Sequence, residues 1–376
     1  MARVLVVPAL ALAGCSLYFG PDGPDSTTPP PVATVALGCL RAVVPTTGAS
    51  LFVTSGCQPD GGAIIQMVAL TDAWLIASDA RADFPDQSNR LVAVHDTITP
   101  DVLMLSAHRP EIWAFTVDTA VHVSQRMTLE RPFRDVWMGD LNRQGVRDVL
   151  LAGDDGPGAI RVAEVEDGTG GLRAELPASA ERELLTGWPF QFVAPIDLDG
   201  DGKLDLFYEA GGPGLPYELG TARRRAGQPV TFAPDRQWGE AARPGSAGPR
   251  AALRVADLDG DGRPDIVGMT ERAFVYSSHY LELSFLDGVA ARAVAVGDVD
   301  GDGARELVVA GDAQISRVRL GLAAGHLALE AEPLVDDRVD ALEAADLDGD
   351  GRAELIGIRD LAQPDSTLVV HRATAY

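Results

Sequence analysis

Four times in its second half the chain repeats one nine-residue acidic loop, D-x-D-G-D-G-x-x-D/E, between two short apolar runs. The copies begin at Asp197, Asp257, Asp298 and Asp346. Carboxylates at positions 1, 3 and 5 of a tight turn converge on one point, and the acid at position 9 closes the group. Such loops constrain the fold in two ways: each needs a cation or a substitute for one, and their spacing is an architectural period.

The acids concerned are Asp197, Asp199, Asp201 and Asp205; Asp257, Asp259, Asp261 and Asp265; Asp298, Asp300, Asp302 and Glu306; and Asp346, Asp348, Asp350 and Glu354. Hard oxygen donors in a flexible cage suit Ca²⁺, which takes ~6–8 oxygens, whereas Mg²⁺ prefers a strict octahedron. The backbone carbonyls at position 7 (Lys203, Arg263, Ala304 and Arg352) are natural further ligands, so about four Ca²⁺ ions are expected. Gly202, Gly262, Gly303 and Gly351 are placed to supply the positive φ of the turn. An EF-hand is excluded, because its closing Glu at position 12 is replaced by Tyr208, Gly268, Val309 and Gly357. The flanks also alternate as short strands and lack the helical period.

A weaker copy at Asp140–Asp148 keeps positions 1 and 9, but Asn142 is neutral and Gln144 replaces the position-5 acid, which weighs against metal there. A relic beginning at Asp96 keeps the strand–turn–strand frame without the cage. Loop starts at 96, 140, 197, 257, 298 and 346 give gaps of 44, 57, 60, 41 and 48 residues. That is the period of a four-stranded propeller blade. After the loop at 298, strands are expected at 307–310, 315–320, 326–331 and 339–344, with the metal loop joining the first strand of each blade to the second. The expected fold is all-β, a seven-bladed propeller over 36–376, with six blades the alternative. The last blade is one strand short, and Ala36–Val44 is the expected strand that closes it.

The loops with their flanks, such as the run from Val294 to Ala310, resemble FG-GAP/VCBS repeats, which also build integrin α-subunit propellers. The resemblance covers about residues 190–360 and implies a calcium-binding β-propeller, usually extracytoplasmic and often ligand-binding. The FG and GAP signatures themselves are poorly kept, so an integrin-like ligand does not transfer.

Residues 1–14 read as a targeting segment, with Arg3 as a thin basic region and an apolar stretch up to Ala13. Leu12-Ala13-Gly14-Cys15 resembles a bacterial lipobox, which implies cleavage before Cys15 and its lipidation. The alternative is an ordinary secretory signal with an incidental cysteine. Residues 15–35 are rich in Pro and Gly and read as a tether. The expected address is the bacterial cell envelope, lipid-anchored, at the outer membrane or cell surface. An oxidising compartment makes a Cys39–Cys57 disulfide the natural use of the other two cysteines.

The formal charge of −24 offers no basic stripe for phosphates, so nucleic acid is an unsuitable partner. Four Ca²⁺ would offset only a third of that charge. No G-x-S-x-G elbow, H-E-x-x-H helix or phosphate-binding loop is present, and the six histidines are scattered singly. The expected function is therefore a non-enzymatic module that binds a protein or glycan. A propeller polysaccharide lyase or hydrolase and a structural envelope lipoprotein are the alternatives.

Overall fold

The computed structural model describes the chain between residues 31 and 373. It leaves out 46–49, 56–62, 71–75, 85–87, 94–101, 118–120, 142–145, 154–157, 165–174, 177–181, 227–230, 240–252 and several single residues and pairs. Cys15, Cys57, Asn142 and the relic loop after Asp96 therefore lie outside the described residues.

The described strands form seven sheets, antiparallel but for one added edge strand, taken here in chain order as I to VII. Sheet I runs from Leu40–Pro45 through Ser50–Ser55 and Ala63–Leu70 to Ile76–Phe84. Sheet II runs from Ser88–Ala93 to Val121–Leu129, with Glu175–Leu176 added in parallel at its outer edge. Sheet III comprises Asp135–Gly139, Asp148–Gly153, Ala159–Glu164 and Arg182–Thr186. Sheet IV comprises Phe190–Ile196, Asp205–Gly212, Leu215–Arg224 and Phe232–Gly239. Sheet V comprises Arg254–Ala256, Asp265–Met269, Ala273–Ser277 and Glu282–Phe285. Sheet VI comprises Ala293–Gly297, Glu306–Ala310, Ile315–Ala323 and His326–Val335. Sheet VII comprises Ala341–Ala345, Glu354–Arg359 and Thr367–Arg372.

The first strand of each sheet touches the first strand of the next, and that of sheet VII touches that of sheet I. The chain is thus an all-β propeller whose sheets stand in a closed ring. In this arrangement a sheet is covered on both faces, so its second strand cannot alternate between core and solvent. Asp148–Gly153 is buried throughout, and Glu306–Ala310 and Glu354–Arg359 at all but one residue. This is why these strands read as unbroken apolar runs. The outer strand His326–Val335 instead exposes half of its residues. Neighbouring inner strands come close: a Cβ on Gly297 would lie 2.8 Å from the Cβ atoms of Ala344 and Ala353, so only glycine fits there.

The ring closes one element earlier than the sequence predicts. Ala33–Ala36 is the fourth strand of sheet VII, with Ala33 opposite Val370 and Ala36 opposite Thr367. The predicted closing strand, Ala36–Val44, is divided: its first residue ends that strand, and Leu40–Pro45 is the inner strand of sheet I. The chain turns between them at Cys39, whose φ is 51°. The Cys39 N–H donates to the Gln363 carbonyl at 2.7 Å, and that of Ala362 donates to the Leu40 carbonyl at 2.7 Å. Leu40, Val43, Leu347, Ile356 and Leu368 share one buried cluster, so apolar contact holds the seam between sheets VII and I. Cys39 is buried and disulfide-bonded.

Sheets IV and V meet through aromatic rings. Phe207 lies 6.1 Å from Phe274 and 5.6 Å from Tyr276, and Trp238 lies 5.3 Å from Tyr276. Edge-on and offset contacts of this kind add about 0.5–1.5 kcal/mol per pair beyond area burial. Trp238 thus packs between sheets, while Trp113 stacks under the Arg126 guanidinium at 5.1 Å.

Candidate metal centres

Each acidic loop joins the first strand of its sheet to the second, in sheets IV, V, VI and VII. Local hydrogen bonding shapes all four alike. The position-1 carboxylate accepts from the N–H groups of positions 4 and 6: Asp298 Oδ1 from Gly301 at 2.7 Å, and Oδ2 from Gly303 at 2.9 Å. The Asp346 pair is equivalent, at 2.7 and 3.0 Å. Position 3 accepts from the N–H of position 5, and position 5 from that of position 7. The chain must double back for these bonds, so the glycines at positions 4 and 6 both have positive φ, 79° and 89° at Gly301 and Gly303. The sequence reading assigned this need only to position 6.

Position 2 is the anchor that sequence reasoning missed. Leu198, Leu258, Val299 and Leu347 are all buried, and each belongs to a core cluster shared with the following sheet. The loop is therefore pinned between two sheets by an apolar side chain, while its acids at positions 3 and 5 stay exposed or half-exposed. The signal was present as an apolar residue at position 2 of every copy. Further links run between loops. The Ala353 N–H donates to the Asp298 carbonyl at 2.6 Å, and the Arg263 and Arg352 side chains lie over Gly200 and Gly301 of the preceding loops.

Carboxylate oxygens within 4.8 Å of one another gather in all four loops. Asp298, Asp300, Asp302 and Glu306 converge completely. In the others three acids converge: Asp197, Asp199 and Asp201; Asp257, Asp259 and Asp265; Asp346, Asp348 and Glu354. Asp205, Asp261 and Asp350 stand outside their groups. Asp205 is bound by the Arg223 guanidinium at 2.9 Å and the Arg224 N–H at 2.6 Å. Asp261 Oδ2 lies 2.8 Å from His279 Nδ1. The position-7 residues Lys203, Arg263, Ala304 and Arg352 each donate their N–H to the position-5 acid.

The closing acids carry the electrostatic cost. Burial, with the neighbouring carboxylates adding to it, pushes Glu306 and Glu354 up to about 7 and Asp265 up to about 6. The N–H of position 2 opposes this by donating to the same carboxylates in loops 257, 298 and 346. Buried acids raised by desolvation and by like charge are stabilised in their ionised form by a nearby cation. An all-oxygen donor set fits a hard divalent ion. The donor chemistry thus fits the metal that the sequence predicts.

The loop at 140–148 differs. Leu141 is buried like the other position-2 residues, and its N–H donates to Asp148 Oδ2 at 3.2 Å. Burial pushes Asp148 up to about 6. Asp140 and Asp148 join no acidic group among the described residues.

Away from the loops, the buried pair Asp337–His371 (Oδ2 to Nε2, 2.6 Å) is held with Arg359 at 2.7 Å under sheet VII. Burial raises Asp337, but the hydrogen bonds from His371 and Arg359 outweigh it and hold the carboxyl below its ordinary range. Both members are buried, so this is a packing device.

The FG-GAP-like repeat family matches residues 140–208 and 298–357. Over these two stretches the sequence is similar to FG-GAP-like repeats. The first matched stretch runs from the degenerate loop through the loop at 197, and the second holds the loops at 298 and 346. This repeat propeller is similar in fold to a chain in the crystal structure of BBS1N in complex with ARL6DN, soaked with mercury. That similarity has a TM-score of 0.49 and 12% identity, over 92% of this chain and 96% of that one. In all, 227 chains of solved structures match. No curated protein matches the sequence.

Proposed function

We propose that this FG-GAP repeat propeller is a calcium-binding, non-enzymatic module of the bacterial cell envelope, anchored through Cys15, that binds a protein or glycan. The observation that supports calcium most directly is the convergence of Asp298, Asp300, Asp302 and Glu306 within 4.8 Å. Ions at four loops, with the position-7 carbonyls as added ligands, would remove the carboxylate repulsion and lock the connections between first and second strands. A Cys39–Cys57 bridge would secure the seam where the ring closes.

The binding surface in this reading is the groove between sheets V and VI. It has a volume of about 630 Å³ and is bounded by Asp259, Tyr280, Arg305, Arg319 and Leu322. Tyr280 and Leu322 are two of the three large apolar residues exposed among the described residues. An exposed aromatic and an aliphatic side chain beside charged groups suit a partner contact. The test is retention of an envelope component on immobilised protein. Retention in Ca²⁺ that is lost in chelator, and lost in a folded Tyr280→Ala, Leu322→Ser variant, supports the reading. Equal retention under all three conditions contradicts it.

A further inference from the structure

In three of the four loops the same oxygen is already engaged. The position-3 carboxylate uses Oδ1 to accept the position-5 N–H, which leaves Oδ2 for a cation. An arginine from the third strand of the same sheet reaches that oxygen. Arg223 Nη1 lies 3.4 Å from Asp199 Oδ2, Arg317 Nη1 lies 2.5 Å from Asp300 Oδ2, and Arg372 pairs with Asp348 Oδ2. Two of these guanidiniums extend further into their loops, Arg223 to Asp205 and Arg372 to within 3.7 Å of Glu354. The register explains the reach: Arg372 stands directly opposite Glu354, and Arg317 lies two places along from the residue opposite Glu306, on the same face of the strand. Arg317 is also steadied on its far side by Glu332 at 2.9 Å.

The loop at 257 is built otherwise. No described arginine pairs with Asp259, and the basic partner of that loop is His279, on Asp261. The degenerate loop has an acid in the equivalent register place, Glu164 opposite Asp148.

We propose that Arg223, Arg317 and Arg372 are tethered counter-cations: each holds its loop's carboxylates in the metal-free chain and yields them to a divalent ion, thereby setting that loop's affinity. The inference rests on reading the loops as calcium sites. A cation bound at roughly 2.3–2.6 Å from Oδ2 and a guanidinium on the same oxygen repel each other, so the two are competitors and not partners. Asp205 gives the clearest case, since it can join Asp197, Asp199 and Asp201 only after Arg223 releases it.

The test compares wild-type protein with an R223Q/R317Q/R372Q variant, following melting temperature against free Ca²⁺. The expected result has two parts. The calcium concentration at half-maximal stabilisation falls on the order of tenfold. In chelator the variant melts below the wild type, because its carboxylates have lost their counter-charge. The single Arg317→Lys variant, which keeps the charge, should stay near the wild type, and single Arg→Gln variants replace the triple one if it does not fold. An unchanged or higher calcium midpoint in the Gln variants overturns the proposal, since the arginines would then be structural or would assist the ion. A wild type that takes up no Ca²⁺ removes the underlying reading, and this is seen before any variant is compared.

Discussion

The loop at 140–148 and the loop at 346–354 share a frame and differ in what the frame carries. Both bury an apolar residue at position 2, Leu141 and Leu347, and in both its N–H donates to the buried closing acid. In the second loop Asp346 and Asp348 converge with Glu354, and Arg372 stands opposite; in the first, Glu164 takes that place and the acids at positions 3 and 5 are absent. The apolar anchor and the bond to the closing acid are thus separable from the cage. The buried anchor and its bond to the closing acid are kept where the acids at positions 3 and 5 are missing, and those two acids are what the loop at 346 adds toward a cation site.

Removing calcium is the strongest way to probe this difference. Each independent site held at a hundred times its dissociation constant contributes about 2.7 kcal/mol. Chelator should therefore lower the melting temperature far more than any single substitution, and limited proteolysis should then cut first in sheets IV to VII. Next in size is the anchor. Leu347→Ala and Leu141→Ala should each cost about 2–5 kcal/mol by denaturant titration, as buried leucines do. The two costs should be similar in chelator if packing alone holds the frame. A Leu347→Ala cost that is present with Ca²⁺ and vanishes in chelator would make the frame depend on the ion.

A smaller effect comes from protonation. Glu306 and Glu354 are raised to about 7 in the metal-free chain, above the ordinary 4.5. The folded state then binds more protons than the unfolded one between those values, so metal-free stability falls as pH rises from about 4.5 to 7. In chelator, Glu354→Gln should flatten this slope as measured by urea midpoints, while removing one calcium site. A steeper slope would contradict the assignment. The smallest expected effect on stability is that of Asp148→Asn, which should leave calcium uptake unchanged.

The period and place of the loops were legible because carboxylates that meet in space here also sit within nine residues in sequence. The second strands were legible for a related reason: burial on both faces turns Leu307–Ala310 and Leu355–Ile358 into apolar runs. The closing strand was misplaced because Ala33–Ala36 and Leu40–Pro45 are both short apolar runs, and only pairing with Thr367–Arg372 distinguishes them. The arginines at the cages were not legible at all. Arg317 is 17 residues from Asp300 and Arg372 is 24 from Asp348, and the register that joins them is a property of the sheet. Position 2 lay between: its apolar character was readable, but the neighbouring sheet it packs on was not.

Calcium stoichiometry at equilibrium, read by dialysis and metal analysis on the purified protein, tests the central claim most directly. Four ions per chain are expected, three after Asp300→Ala, and four after Asp148→Asn. No calcium retained at millimolar concentration, or the same count after Asp300→Ala, would contradict the account.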